Sequence, residues 1–223
     1  MHTDTTLAEL AIHHPTATKV FHRHGLDFCC KGGRSLAEAC RSKSLDPEAV
    51  LAEIAAEDAP AEHTDWSERP LDELIDHILT RYHEPLREEV ERLLEMARKV
   101  ERVHGDKPSA PHGLAAHLAT MRRDIEGHLE KEERILFPMI RAGQSATMPV
   151  RVMVMDHEDH AAALRRTREL TADFTPPREA CTTWRALFLG LQTLEHDLME
   201  HIHLENHVLF PRSLAGTHPL PLR

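Results

Sequence analysis

The sequence predicts an all-α protein: a small N-terminal helical domain followed by an up-down four-helix bundle. Three observations carry that expectation. Hydrophobic residues make up 41% of the 223 and aromatic residues only 4%, which suits a helical core of Leu, Ile, Val, Met and Ala better than a β-sandwich. From about residue 71 onward, apolar residues recur at steps of three and four in four long stretches joined by short breaks. The two halves of that region also repeat each other.

The elements follow in order. Helical patterns at Thr6–His24 and Ser35–Cys40 flank a Gly-containing turn, Cys30-Lys31-Gly32-Gly33-Arg34, and a further pattern covers Asp46–Glu57. This is a domain over residues 1–57. Residues 58–70 are polar and hold two prolines without periodicity, so they read as a linker. The bundle occupies 71–223. Its first helix spans about Leu71–Val103, with the stripe Ile75, Leu79, His83, Leu86, Val90; Pro85 lies inside it and costs a hydrogen bond. The second, about His112–Arg141, carries Leu114, Leu118, Met121, Ile125, His128, Glu132, Ile135. The third, about Thr147–Asp173, carries Val150, Val154, His157, Ala161, Leu164 and ends at Thr175-Pro176-Pro177. The fourth, about Arg178–Leu214, carries Leu187, Leu191, Leu194, Leu198, His201, Glu205, Val208. Four such helices with short connections predict up-down topology.

Each apolar stripe is interrupted by a residue too polar for a core unless paired or bound to something. These are His83, His128, Glu132, His157, His201 and Glu205. Their spacing repeats. His83 precedes His128 by 45 residues and His157 precedes His201 by 44. Each half then has His-x3-Glu, followed at the same distance by Ile135-Leu136-Phe137-Pro138 or Val208-Leu209-Phe210-Pro211. Residues i and i+4 share a helix face, so each His-x3-Glu offers an imidazole and a carboxylate one turn apart. Four imidazoles and two carboxylates exceed the needs of one ion. Two bridging carboxylates would join two metals, each with two His nitrogens. Nitrogen and oxygen ligation favours Fe or Mn over structural Zn. His203 and His207 are expected to point off this face. His77, His104, His112 and His218 read as surface residues, His160 as a support for a ligand in preference to an alternative ligand, and His117 is left open.

A second feature is Gly25-Leu26-Asp27-Phe28-Cys29-Cys30-Lys31-Gly32-Gly33. Adjacent cysteines do not readily pair with each other. His22, His24, Lys31 and Arg34 are near enough in sequence to lower a thiol pKa. Cys29 and Cys30 therefore read either as reactive or metal-handling thiols or as small buried residues. Cys40 and Cys181 fall in helical patterns and read as core.

With Asp27-Phe28-Cys29-Cys30-Lys31-Gly32-Gly33, Ala39-Cys40, Glu179 to Trp184 and the closing His201-x3-Glu205-x3-Leu209-Phe210-Pro211, nearly the whole chain resembles the iron-sulfur cluster repair di-iron proteins. The resemblance implies a hemerythrin-like bundle holding two non-haem Fe ions in a carboxylate-bridged centre. It carries the family's six ligands onto His83, His128, Glu132, His157, His201 and Glu205, and its cysteine pair onto Cys29 and Cys30. It also implies a cytoplasmic, often homodimeric stress protein that restores clusters damaged by nitric oxide or peroxide.

Composition bounds the alternatives. A net charge of −10 disfavours nucleic acid. Met1–Leu10 lacks a signal-peptide pattern and no stretch approaches a spanning length, so a cytoplasmic protein off the membrane is expected. Three functions compete. One is an iron donor whose Cys29 and Cys30 pass iron toward a damaged cluster protein or an assembly scaffold. The second is a nitric oxide reductase. The third is a non-catalytic oxygen or nitric oxide sensor. The donor ranks first.

Overall fold

The structure is a computed structural model that describes residues 1–57 and 64–215. Residues 58–63 of the expected linker, and His218, lie outside the described residues. The chain divides into two compact units. One is Met1–Ile75 together with the stretch beginning at Met199; the other is Asp76–Leu198. The described residues are helices and turns, with one isolated antiparallel bridge between Thr6 and Ser35.

The first unit opens with α1 (Leu7–His13), α2 (Thr16–Arg23), α3 (Leu36–Arg41) and α4 (Pro47–Glu57). Thr6 with Glu9, and Ser35 with Glu38, form reciprocal capping boxes at the starts of α1 and α3. The single pattern expected over Thr6–His24 is two helices. Pro15 pushes His14 out of helical geometry, to φ −133° and ψ 86°, as a residue before proline requires. Leu7, Leu10, Val20, Phe21, Leu26, Phe28, Leu36, Cys40, Val50 and Ile54 make one core, with Met199 packed on its edge.

The long helical stretches are α5 (Leu71–Ile78) and α6 (Glu84–His104), α7 (Leu114–Lys131) and α8 (Phe137–Arg141), α9 (Thr147–Leu170), and α10 (Thr182–Leu204) and α11 (Phe210–Ala215). Within the second unit, salt bridges fix their directions. Arg87 reaches Glu126, Arg122 reaches Glu91, and Glu101 accepts from the Ala115 amide, so α6 and α7 run antiparallel. Lys131 with Asp156, and His117 with Ala163 and Thr167, set α7 against α9 in the same sense. Arg81 meets Asp197, and Gly190 faces Leu93, so the fourth helix returns along the first. This is the up-down arrangement of a helical bundle. A bidentate Arg168–Glu195 pair (2.8 and 2.6 Å) ties α9 to α10, and Arg168 also lies over the Phe174 ring. Phe174 closes a left-handed turn in which Ala172, Asp173 and Phe174 all have positive φ. Among the described residues no helix is long and apolar enough to cross a membrane.

Three joints are π-helical: Leu79–His83, Glu132–Leu136 and Glu205–Leu209. Each is followed at the second residue by proline: Pro85, Pro138 or Pro211. A proline ring collides with the carbonyl four residues back and offers no N–H. Widening the turn answers both problems, because the preceding residue donates five residues back. Glu84 donates to the Leu79 carbonyl, Phe137 to Glu132 and Phe210 to Glu205. The proline expected to cost the first helix a hydrogen bond thus produces a π-turn, as do its two counterparts.

The extra residue shifts the helix phase. Ile135, expected in the core stripe, is 52% exposed, and Leu136 takes the inward position at 1%. A second correction concerns α9. Its buried line is Val150, Met153, His157, His160, Leu164 and Thr167, so Val154 faces out and His160 faces in. A third is Cys181, expected in the core. It is exposed in the turn before α10, where His104 lies 3.3 Å from its sulfur and stacks on the buried Trp184.

Candidate metal centre

In the second unit, His83, His128, Glu132 and His157 are all buried. His83 closes the first π-turn; Glu132 opens the second, one helical turn after His128. Glu132 Oε2 lies 3.3 Å from His128 Nε2 and 3.5 Å from His83 Nε2. His128, Glu132 and His157 each place a ligand atom within 4.8 Å of the others. The first unit repeats the pattern. His201 Nε2 lies 3.1 Å from Glu205 Oε1, both are fully buried, and Glu205 opens the third π-turn.

These separations suit ligands grouped around an ion. Charge-assisted hydrogen bonds between such groups run about 2.7–2.9 Å. Donors bonded to one metal at about 2.1 Å sit roughly 3.0–3.4 Å apart. A buried carboxylate also carries a desolvation cost of several kcal/mol unless a cation compensates it. A donor set of imidazoles and carboxylates, with no thiolate, fits hard or borderline cations. Buried His/Glu clusters competent for metal are therefore present.

The other nitrogens of two imidazoles are held by carboxylates that the sequence pattern does not single out. His83 Nδ1 lies 2.8 Å from Glu133 Oε1, and that oxygen also accepts from Arg87 at 2.9 Å. Burial pushes the Glu133 carboxyl up, but Arg87 and His83 outweigh it and hold it below the usual range. His128 Nδ1 lies 3.4 Å from Asp156 Oδ2, which pairs with Lys131 at 2.7 Å. The His128 and Lys131 contacts hold the Asp156 carboxyl at about 2. Each carboxylate fixes its ring so that Nε2 faces Glu132, a device that raises imidazole basicity. Glu133→Gln removes the anion and keeps the shape. Metal affinity should fall about 10- to 100-fold, read as faster stripping by a chelator, with helicity unchanged.

His160 lies beside His128, ring centroids 4.9 Å apart and nearly perpendicular, at a buried position on α9. His117, ambiguous in sequence, hydrogen-bonds the Ala163 carbonyl and Thr167 hydroxyl, and burial lowers its pKa. It is a packed helix-pairing residue.

Cys29 and Cys30 sit in the first unit. Cys29 is buried and Cys30 half-buried. The Cys29 thiol is pushed well above its usual pKa by the Cys30 hydrogen bond and burial, and further by the charge and hydrogen bond of Asp27. The basic neighbours expected to lower it do not decide the outcome, because Asp27 Oδ1 is 3.4 Å from the Cys29 sulfur. The Cys29 carbonyl accepts from His207 Nε2 at 3.0 Å and Asn206 Nδ2 at 3.1 Å. His203 packs edge-on against Phe28, its pKa lowered to about 3 by burial and by His207. His203 and His207 thus face the cysteine loop.

Residues 74–213 match the Hemerythrin HHE cation binding domain. Fold and site together define a hemerythrin-type cation-binding protein. Residues 3–58 match a Domain of Unknown function, DUF542. The chain is 47% identical over 215 residues to the iron-sulfur cluster repair protein YtfE of Citrobacter koseri, covering 96% of this chain and 98% of that protein. It is 46% identical over 215 residues to the proteins of the same name from Escherichia coli and Shigella boydii, with the same coverage. The chain belongs to the YtfE family of iron-sulfur cluster repair proteins.

Proposed function

We propose that this is a di-iron protein that repairs iron-sulfur clusters damaged by nitrosative or oxidative stress by supplying iron. The observation that carries the reading is the buried, repeated His-x3-Glu donor set, which has no role as a plain core. The name of its relatives agrees. In this reading His83, His128, Glu132, His157, His201 and Glu205 would hold two Fe ions. The iron would be a labile store, since carboxylate links loosen on protonation. Glu133 and Asp156 orient the rings of His83 and His128. Cys29 and Cys30 are the thiols through which iron would leave toward a cluster protein lacking it.

The test is recovery of a nitric-oxide-damaged iron-sulfur enzyme mixed with the iron-loaded protein as sole iron source. The cluster spectrum and enzyme activity should return together. No recovery, with iron still on the donor, would sink the reading. Cys29→Ser/Cys30→Ser should slow recovery about tenfold, a barrier increase of about 1.4 kcal/mol. Wild-type recovery by that variant removes the thiols from the route.

A further inference from the structure

Asp27, Cys29 and Cys30 converge in the turn that follows α2. Cys29 Sγ lies 3.4 Å from Asp27 Oδ1 and 3.7 Å from Cys30 Sγ. Each of the three residues offers a ligand atom within 4.8 Å of the others. The turn is held from two sides. Asp27 Oδ1 accepts from the amides of Cys30 at 3.0 Å and Lys31 at 3.3 Å. Behind it, the Cys29 carbonyl is fixed by Asn206 and His207. Backbone contacts therefore hold the turn that carries the three donors, and within it the Cys29 thiol faces both Asp27 Oδ1 and Cys30 Sγ.

The spacing matches a tetrahedral metal. Bonds of about 2.3 Å to sulfur and about 2.1 Å to oxygen place two sulfurs about 3.8 Å apart and a sulfur and an oxygen about 3.6 Å apart. An Asx turn accounts for the amide contacts of Asp27. The two separations from Cys29 Sγ, to the carboxylate oxygen and to the second sulfur, lie close to the edges of such a polyhedron. Three acidic groups this close repel one another when ionised, and one cation removes that repulsion.

We propose that Asp27, Cys29 and Cys30 form a second, mononuclear cation site of two thiolates and one carboxylate, taking a borderline-soft divalent ion such as Fe²⁺. Binding forms two metal–sulfur bonds and one metal–oxygen bond in place of three water ligands. The two thiol protons pass to solvent and no electron moves. The loaded site carries one net negative charge, and its fourth position is left for water or for an acceptor's thiolate or sulfide. The inference rests on the iron-donor reading and deepens it by naming where iron in transit would stop.

Cobalt(II) is the probe, added anaerobically to the reduced full-length protein. A thiolate–cobalt charge-transfer band in the near ultraviolet reports sulfur ligation; imidazoles and carboxylates do not produce it. The band should saturate at one cobalt per chain, persist in Cys40→Ser/Cys181→Ser, and vanish in Cys29→Ser/Cys30→Ser. In Asp27→Asn the amide oxygen still accepts the two backbone bonds, so the turn is kept. There the midpoint should rise at least about tenfold, the cost of roughly one charged ligand contact. No band at excess cobalt, or a band and midpoint unchanged in Asp27→Asn, overturns the site. The outcomes separate from those of the repair assay. Repair without the band sinks this site alone, and the band without repair sinks the donor role alone.

Discussion

Glu205→Ala is expected to leave the protein with at most about half the wild-type iron under identical loading, because in the proposed reading this carboxylate would serve both ions. Elemental analysis reads this directly. Stability gives a second readout. A ligand bound only to the folded state at 1,000 times its dissociation constant adds about 4 kcal/mol. Chelation should therefore lower the urea midpoint of the iron-loaded wild type and leave that of Glu205→Ala nearly unmoved. The metal-free variant should be no less stable than the metal-free wild type. Glu205 is fully buried, and its replacement removes a carboxylate whose burial is costly without a cation. Full iron content with an intact response to chelation would refute the assignment of Glu205.

Gly32→Ala is expected to destabilise by about 2–4 kcal/mol, through overpacking and loss of buried hydrogen bonds. A Cβ there would lie 2.4 Å from the Phe28 carbonyl oxygen and 2.5 Å from His207 Nε2. The first of these is backbone and cannot swing aside. The loop must move, and the bonds from His207 and Asn206 to the Cys29 carbonyl go with it. Gly33 is the control, since a Cβ there meets nothing within 4 Å. Gly33→Ala should change stability by no more than about 0.5 kcal/mol. Urea unfolding of the two variants side by side checks the contrast. Equal midpoints would mean that the close approach at Gly32 is not a constraint.

The helical class and the inward positions of the six polar stripe residues were legible because they rest on short-range geometry. A step of four keeps His128 with Glu132, and His201 with Glu205, on one face whatever happens further along. What lay beyond that range was misread. Counting at 3.6 residues per turn places Ile135 inside, but the π-turn adds a residue and turns Leu136 inward instead. On α9 both Val154 and Met153 are apolar, so pattern alone did not choose between phases; the structure chose the one that buries His160. Cys181 looked like core because its neighbours continue a helical pattern, yet α10 begins one residue later. Glu133 and Asp156 went unremarked, and Asp27 was noted only as part of the cysteine motif, because acidic residues are common here, with 37 in the chain. Only three-dimensional proximity to an imidazole or a thiol distinguishes them.

The discontinuity of the first unit bears on how the chain is made. Its cysteine loop is fastened by Asn206 and His207, and its core is edged by Met199. On a ribosome adding about 5–20 residues per second, those fasteners follow Glu57 by roughly 7–30 s. Throughout that interval the loop of Cys29 and Cys30 lacks the Asn206 and His207 contacts that hold it in the finished protein. Vectorial synthesis thus leaves the thiol pair among the last parts to reach its final form, and a window for oxidation or stray metal capture opens before the bundle's closing helix exists.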